Sequence, residues 1–287
     1  MQQRSIDQVL HDFKRLPSGE IHVWSSALEL DSESIGAWEA VLSQDERCRA
    51  NRFRFGKDYV EFVLARSLLR CLIGSYLGLE AATIQFVYSP FGKPAIHPDL
   101  EPKGLRFNVS HSHGEALFAF SHNREVGIDL EFIPHEWDGS SLSQHFFSSR
   151  ENEQLQTLAD IEQKQAFFRC WTRKEAYIKA RGEGLSLALN QFDVSLLAEE
   201  KAALLEVRPD AQEVNRWKMQ DVAVKSNYAG ALVAEGQDWN ATQFRVTTKD
   251  SKCSSDQVKR ESERGQKRES ENGPRSETSA RETDKPT

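Results

Sequence analysis

The chain has 287 residues, 38% of them hydrophobic, and carries 44 acidic against 37 basic side chains for a formal charge of −7. That length buries a substantial core in one large domain or two small ones, which excludes a fibre or a mini-protein. The acidic balance argues against general affinity for nucleic acid or an anionic membrane, and no run approaches the roughly 18 apolar residues of a membrane span. The opening Met-Gln-Gln-Arg-Ser-Ile-Asp has no apolar signal-peptide stretch, so a cytoplasmic protein is expected. Cys48, Cys71, Cys170 and Cys253 are scattered without a CxxC pair and read as core thiols.

In chain order, Ile21 to Ser25 reads as a first strand, and five cations crowd the eleven residues from Arg47 to Lys57. That density suits a phosphorylated ligand or an acidic partner surface, and equally a solvated basic helix face. Asp58 to Leu77 carries Phe62, Leu64, Leu68, Leu69, Leu72 and Ile73 at helical spacing, with Gly74 and Gly78 near its end. A strand over 84–88, the turn Ser89-Pro-Phe-Gly-Lys-Pro94, and two short strands over 105–110 and 116–121 follow, the last two joined through His111-Ser-His-Gly114. Val126-Gly-Ile-Asp-Leu-Glu-Phe132 alternates with period two, so a strand places Asp129 and Glu131 on the face opposite Val126, Ile128, Leu130 and Phe132. Helices are predicted over 150–158 and 161–180, and strands over 192–196, 217–224, 228–234 and 244–248. From Lys249 to Thr287 nearly every residue is charged, Ser, Thr, Gln or Pro, a composition that cannot offset its ordering entropy, and a disordered tail is expected there. Each half of the body has a long helix ending in glycines followed by short strands. The pattern predicts an α+β fold of two subdomains, 18–124 and 125–248, joined near Arg124.

Trp171-Thr-Arg-Lys-Glu-Ala-Tyr-Ile-Lys179 sets Glu175 and Lys179 one helical turn apart and closes with Gly182 and Gly184. Trp171, Lys174, Glu175 and Ile178 fall near one stripe, a mixture that suggests charges facing a cleft. Two carboxylates on a strand, with a third beside a lysine on a helix, suit magnesium, which takes a few carboxylate oxygens together with substrate phosphates. Gly127 beside the acids suggests that something approaches that face closely. The ordinary readings stand beside these: a solvated acid pair, and a helix-stabilising Glu–Lys pair worth a few tenths of a kcal/mol. His111 and His113, with His122 nearby, have a zinc-like spacing but no evident fourth ligand, and Ser110 beside His111 has no GxSxG elbow. A loop binding a ligand through Ser110 and His111 is the better reading, and Lys93 sits in a turn that fixes its direction.

Taken in order, Phe91-Gly-Lys-Pro94, Phe107-Asn-Val-Ser-His111, Val126-Gly-Ile-Asp-Leu-Glu131, and Trp171 to Lys179 with Gly182-Glu-Gly-Leu185 resemble the 4′-phosphopantetheinyl transferases of the two-domain, monomeric, surfactin-type branch. The resemblance covers roughly residues 20 to 248. It implies two similar α+β halves in pseudo-twofold arrangement with the active site between them. It implies transfer of the phosphopantetheine arm of coenzyme A to a serine of an apo acyl, peptidyl or aryl carrier protein, with Mg²⁺ as cofactor and adenosine 3′,5′-bisphosphate released, as in a holo-[acyl-carrier-protein] synthase. By motif, Asp129, Glu131 and Glu175 would hold the metal, Lys179 the pyrophosphate, Ser110 and His111 the 3′-phosphoadenosine end, and Lys93 would lie near the adenine or phosphates. Arg49 is the first candidate against the 3′-phosphate. A second arginine expected on the next helix aligns with Glu61, with Arg66 a turn and a residue away, and Glu151 matches an acid near the metal.

Two other classes fit parts of the pattern. A metal-dependent nuclease or phosphodiesterase also uses an acid pair with a further acid and a lysine. A non-catalytic module would bind coenzyme A or a carrier protein without turnover.

Overall fold

The computed structural model describes residues 2–5, 16–30, 34–100, 104–137 and 140–248. Cys253 and the segment expected to be a disordered tail lie outside the described residues. Strand β1 (Gln2–Ser5) and strand β2 (Glu20–Ala27) precede helices α1 (Ile35–Glu39), α2 (Gln44–Ala50) and α3 (Gly56–Leu77). After β3 (Phe86–Tyr88) and β4 (Pro94–Ile96) come β5 (Leu105–Ser112), β6 (Glu115–His122) and β7 (Val126–Phe132). Helices α4 (Ser140–Phe146), α5 (Ser149–Gln156) and α6 (Asp160–Arg181) follow, then β8 (Phe192–Val194), β9 (Leu204–Val207), α7 (Glu213–Arg216), β10 (Trp217–Asp221), β11 (Tyr228–Glu235) and β12 (Asn240–Thr247). The fold is α+β, as expected.

Five strands form one sheet in the order β1-β12-β2-β6-β5, and three form another in the order β10-β11-β7. Two short hairpins, β3-β4 and β8-β9, complete the strands. β12 runs parallel to both β1 and β2, so a strand from the end of the body lies inside the sheet of the first half. A cut at Arg124 therefore does not separate the sheets.

The two long helices each bury one sheet. Leu64, Leu68, Leu72 and Ile73 of α3 pack with Trp24, Phe107, Phe118 and Phe120. Ala176, Tyr177 and Ala180 of α6 pack with Phe192, Trp217, Ala231 and Val233. A third apolar cluster lies where the sheets face each other, with Ile21, Val23, Leu117 and Ala119 on one side and Ile128, Leu130 and Leu232 on the other. β5 and β6 meet at a two-residue turn in which His113 (φ 46°) and Gly114 (φ 81°) are both left-handed, the primed geometry that matches strand twist. The hairpin is longer than its sequence suggested, so His111 belongs to the strand and not to the loop.

Of the cysteines expected as core thiols, Cys170 is a buried free thiol. Cys48 is exposed, and Cys71 is buried and disulfide-bonded, which corrects that reading at both positions. No helix among the described residues is long and apolar enough to cross a membrane.

Candidate active site between β5, β7 and α6

The period-two pattern of β7 is realised in the fold. Val126, Ile128 and Leu130 are buried in the cluster between the sheets, while Gly127, Asp129 and Glu131 turn toward α6. What approaches Gly127 is the protein's own backbone. A Cβ built there would lie 2.1 Å from the Ala176 carbonyl oxygen and 2.3 Å from the Ala180 nitrogen, so only hydrogen fits between strand and helix. Glu175 and Lys179 are one turn apart on α6, which ends where Gly182 adopts φ 73° and donates its N–H to the Ile178 carbonyl. The close seat at Gly127 thus brings that turn of α6 against the acidic face of β7.

Asp129 is 3% exposed, and its Oδ1 accepts hydrogen bonds from Lys179 Nζ at 2.6 Å and Ser110 Oγ at 2.9 Å. Lys179 Nζ also donates to Ser110 Oγ at 3.0 Å, which closes a three-membered cluster of strand, strand and helix. Asp129 Oδ2 is buried and has no partner among the described residues. An unpaired buried carboxylate oxygen is costly unless something else comes to satisfy it. Burial, reinforced by Asp129 and Glu175 and opposed by a Ser112 hydrogen bond and Lys179, pushes the Glu131 carboxyl up to about 7. Burial and then Asp129 raise the Glu175 carboxyl, with Lys179 opposing. One ammonium thus serves three crowded carboxylates.

Among the described residues no group of three His, Cys, Asp or Glu side chains converges closely enough to hold a metal ion by itself. The donor chemistry nevertheless fits a hard divalent cation. All donors are carboxylate oxygens, one is orphaned, and the uncompensated charge is of the right sign. Magnesium in particular does not require an all-protein cage.

Beside this cluster, bordered by Lys179 and Glu175, lies a cavity of about 260 Å³ with Phe91, Lys93, Asn108 and Gly182 also in its wall. The turn before it is shaped by Ser89, whose Oγ accepts from the N–H groups of Phe91 and Lys93. Lys93 Nζ donates to Glu125 Oε2 at 3.0 Å, the Ala180 carbonyl at 3.2 Å and the Val126 carbonyl at 3.4 Å, so it ties the end of α6 to the start of β7. Ser110 and His111 are consecutive on a strand and so point to opposite faces. Ser110 meets Asp129, while the charges acting on His111 are Glu61, Lys179, Arg49 and Arg66. His111 is exposed as a residue, yet desolvation of the ring lowers its pKa, helped by the three cations and opposed by Glu61. Arg49 lies over the Phe62 ring at 5.4 Å and lines a second, wider cavity with Cys48 and Arg52. Arg66 leans on Glu46 at 3.5 Å and on the Phe86 ring, and its Nη1 is buried without a partner among the described residues. His113 stacks on Phe132 at 4.5 Å, and no zinc-like group is found among the described residues.

Two sequence readings are corrected. Glu151 is not with the acids: it is buried, its Oε1 accepts from Val194 N at 2.9 Å, and its Oε2 takes Ser148 N at 2.9 Å and Lys174 Nζ at 2.8 Å. The motif Ser148-Ser-Arg-Glu151 is a capping box whose acid also neutralises a core lysine. Lys174 does not face the cleft with Glu175. It is wholly buried and donates to the carbonyls of Leu189 and Phe192, because adjacent helical residues point about 100° apart.

The sequence reading passed over Asn108 and Ser112. With Ser110 they form a polar row at i, i+2 and i+4 on β5, and that alternation was the available signal. Asn108 Oδ1 accepts from Ile128 N at 2.9 Å. Ser112 Oγ accepts from Phe132 N at 3.2 Å and donates to Glu131 Oε2 at 3.3 Å.

Comparison with known proteins bears on this site directly. The model of the 4′-phosphopantetheinyl transferase superfamily matches residues 125–233, and that of the 4′-phosphopantetheinyl transferase N-terminal region matches residues 31–122. The 4′-phosphopantetheinyl transferase HetI of Nostoc sp. is 37% identical over 224 residues, which are 78% of this chain and 91% of that one. The 4′-phosphopantetheinyl transferase Sfp of Bacillus subtilis is 32% identical over 167 residues, 58% of this chain and 72% of that one. The first match spans α6 and both acidic positions of β7, and the second spans the α3 half of the cleft, so the chain belongs to the 4′-phosphopantetheinyl transferase superfamily.

Proposed function

We propose that this protein moves the phosphopantetheine arm of coenzyme A onto a serine hydroxyl of an apo carrier protein, releasing adenosine 3′,5′-bisphosphate, with Asp129, Glu131, Glu175 and Lys179 as its working residues. The observation that carries the assignment of residues is the Asp129 clasp, in which one buried carboxylate oxygen is held by Lys179 and Ser110 while the other is left open. The nucleophile belongs to the partner, so this chain's task is to position a pyrophosphate and manage charge.

Asp129, Glu131 and Glu175 would hold Mg²⁺, which when bound neutralises the pyrophosphate and lowers its repulsion toward an incoming oxygen. Lys179 is one hydrogen bond from Asp129 and borders the cavity, where its ammonium offsets charge on the departing bisphosphate. Glu175, which stands in the cavity wall, or a water beside it takes the proton of the attacking serine. Lys93 stands in the cavity wall, Ser110 and His111 are assigned to the nucleotide end by the family motif, and Arg49 and Arg66 supply the positive field sensed by His111. Both walls of the cleft come from one chain, which supports a monomer as the working unit. Use of coenzyme A as donor supports a cytoplasmic setting.

The test is the intact mass of an apo carrier protein incubated with this protein, coenzyme A and Mg²⁺. A gain equal to the phosphopantetheine arm, abolished by EDTA and in Asp129→Ala, is the expected result. Unchanged carrier mass with several unrelated carriers would overturn the reading. Cleavage of model phosphodiesters by the pure protein would replace it with the nuclease alternative.

A further inference from the structure

Another cavity, of about 480 Å³, opens where the two sheets meet, and none of its described wall residues belongs to the 260 Å³ cavity of the transfer site. Leu130 stands in its wall. Successive side chains of a strand point to opposite faces, so this cavity lies on the far side of β7 from Asp129 and Glu131. Its floor is apolar and draws on both sheets: Leu117 of β6, Leu130 of β7 and Val224 of the β10–β11 loop. Gly230 of β11 makes room for that floor, because a Cβ there would meet Val224 Cγ1 at 3.2 Å and Leu117 Cδ1 at 3.4 Å. The rim is charged. Glu115, at the start of β6, is buried and pairs with Lys225 and, through both oxygens at 3.4 Å, with Arg245 of β12. Two cations against one carboxylate leave a positive charge in excess, and the Lys225 and Arg245 side chains keep 53% and 26% of their surface open to solvent. A concave apolar floor with a few convergent polar groups at its edge is the usual form of a small-molecule site. The floor suits an aliphatic chain, and the excess charge of the rim selects an anionic head over an ammonium or a neutral one.

We propose that this cavity binds a medium-chain aliphatic carboxylate, with its chain over Leu117, Leu130 and Val224 and its carboxylate between Lys225 and Arg245. None of these residues has a part in the transfer chemistry above, so the site stands apart from the transferase reading and is occupied without displacing coenzyme A.

The probe is octanoate, titrated into the full-length protein by calorimetry with hexanoate and octylammonium beside it. Octanoate should bind with a Kd of about 0.1–1 mM, the range open to a ligand of about ten heavy atoms. Hexanoate should bind about fifteenfold more weakly, a factor of about four for each methylene lost from the floor. Octylammonium, whose head meets the excess cation, should bind at least about tenfold more weakly than octanoate. Lys225→Ala removes a partly exposed cation and should weaken octanoate about fivefold. Ala223→Phe, at an exposed position of the wall, should block the cavity, and both variants should keep the wild-type melt and coenzyme A affinity. An octanoate Kd above about 10 mM, octylammonium binding as tightly as octanoate, octanoate affinity unchanged in Lys225→Ala and Ala223→Phe, or octanoate displaced by coenzyme A would each overturn the proposal. A protein that binds octanoate in this way but transfers nothing to a carrier would uphold it and count against the transferase reading alone.

Discussion

Gly127→Ala tests the physical basis of the site without touching any charged group. The added Cβ would lie 2.1 Å from the Ala176 carbonyl oxygen, and both nearest neighbours are helix backbone that no rotamer change can move. Restoring ordinary van der Waals contact requires α6 to recede from β7 by about 1 Å, an overpacking cost of about 1–3 kcal/mol. The backbone nature of the clash places the change at the upper end, a fall in melting temperature of roughly 6–10 °C for a body of this size. The displacement falls on the turn that carries Glu175 and Lys179, and the 2.6 Å contact of Lys179 with Asp129 has no slack to absorb it. A misplacement of about 1 Å at a reacting centre costs roughly a hundredfold in rate. Calorimetric melts and intact-mass transfer kinetics on the same preparations read both effects. A Gly127→Ala protein with a wild-type melt and wild-type kcat/KM would refute the claim that the strand–helix seat sets the geometry of the acids.

Lys179→Ala is expected to keep the fold, since the side chain is partly exposed, but to lower transfer about 10²- to 10³-fold, as when one preorganised charge-stabilising group is removed; circular dichroism and carrier mass check both halves. Glu151→Ala strands Lys174 in the core and should cost about 3–5 kcal/mol in denaturant unfolding; a stable variant with weakened Mg²⁺ affinity would return Glu151 to the metal site. Glu131 has its carboxyl raised to about 7 from an ordinary 4.5, so the folded state holds that proton more tightly than the unfolded state and stability falls as pH rises. In chelator-treated protein this contribution is complete below about pH 4.5 and declines by up to about 3 kcal/mol by the time pH passes 7. Glu131→Gln should therefore unfold at a higher temperature than wild type at pH 8 and show no such gain near pH 4.5; a gain of equal size at both pH values would contradict the assigned cause. Glu175→Gln should leave the melt unchanged or slightly raised while transfer drops, and full activity would remove Glu175 as the proton acceptor.

Periodicity in the linear chain was enough to place β7, α3 and α6, because a run that is apolar at every second or every third and fourth position can bury one face in only one way. The same alternation placed Asp129 and Glu131 on a common face, and helical spacing placed Glu175 above Lys179. Short polar elements escaped. β1 is Gln-Gln-Arg-Ser, with no alternation to read, and it becomes a strand beside β12. Which charges work and which merely support was also out of reach, since Glu151 and Glu175 look alike as letters. One ends inside a capping box on a buried lysine, the other on a cavity wall. Lys174 and Lys179 divide in the same way, by which side of α6 meets the core. The hydrogen-sized gap at Gly127, the clasp on Asp129 and the Asn108 contact with Ile128 exist only once α6, β5 and β7 are brought together, because each joins residues that lie far apart in the chain.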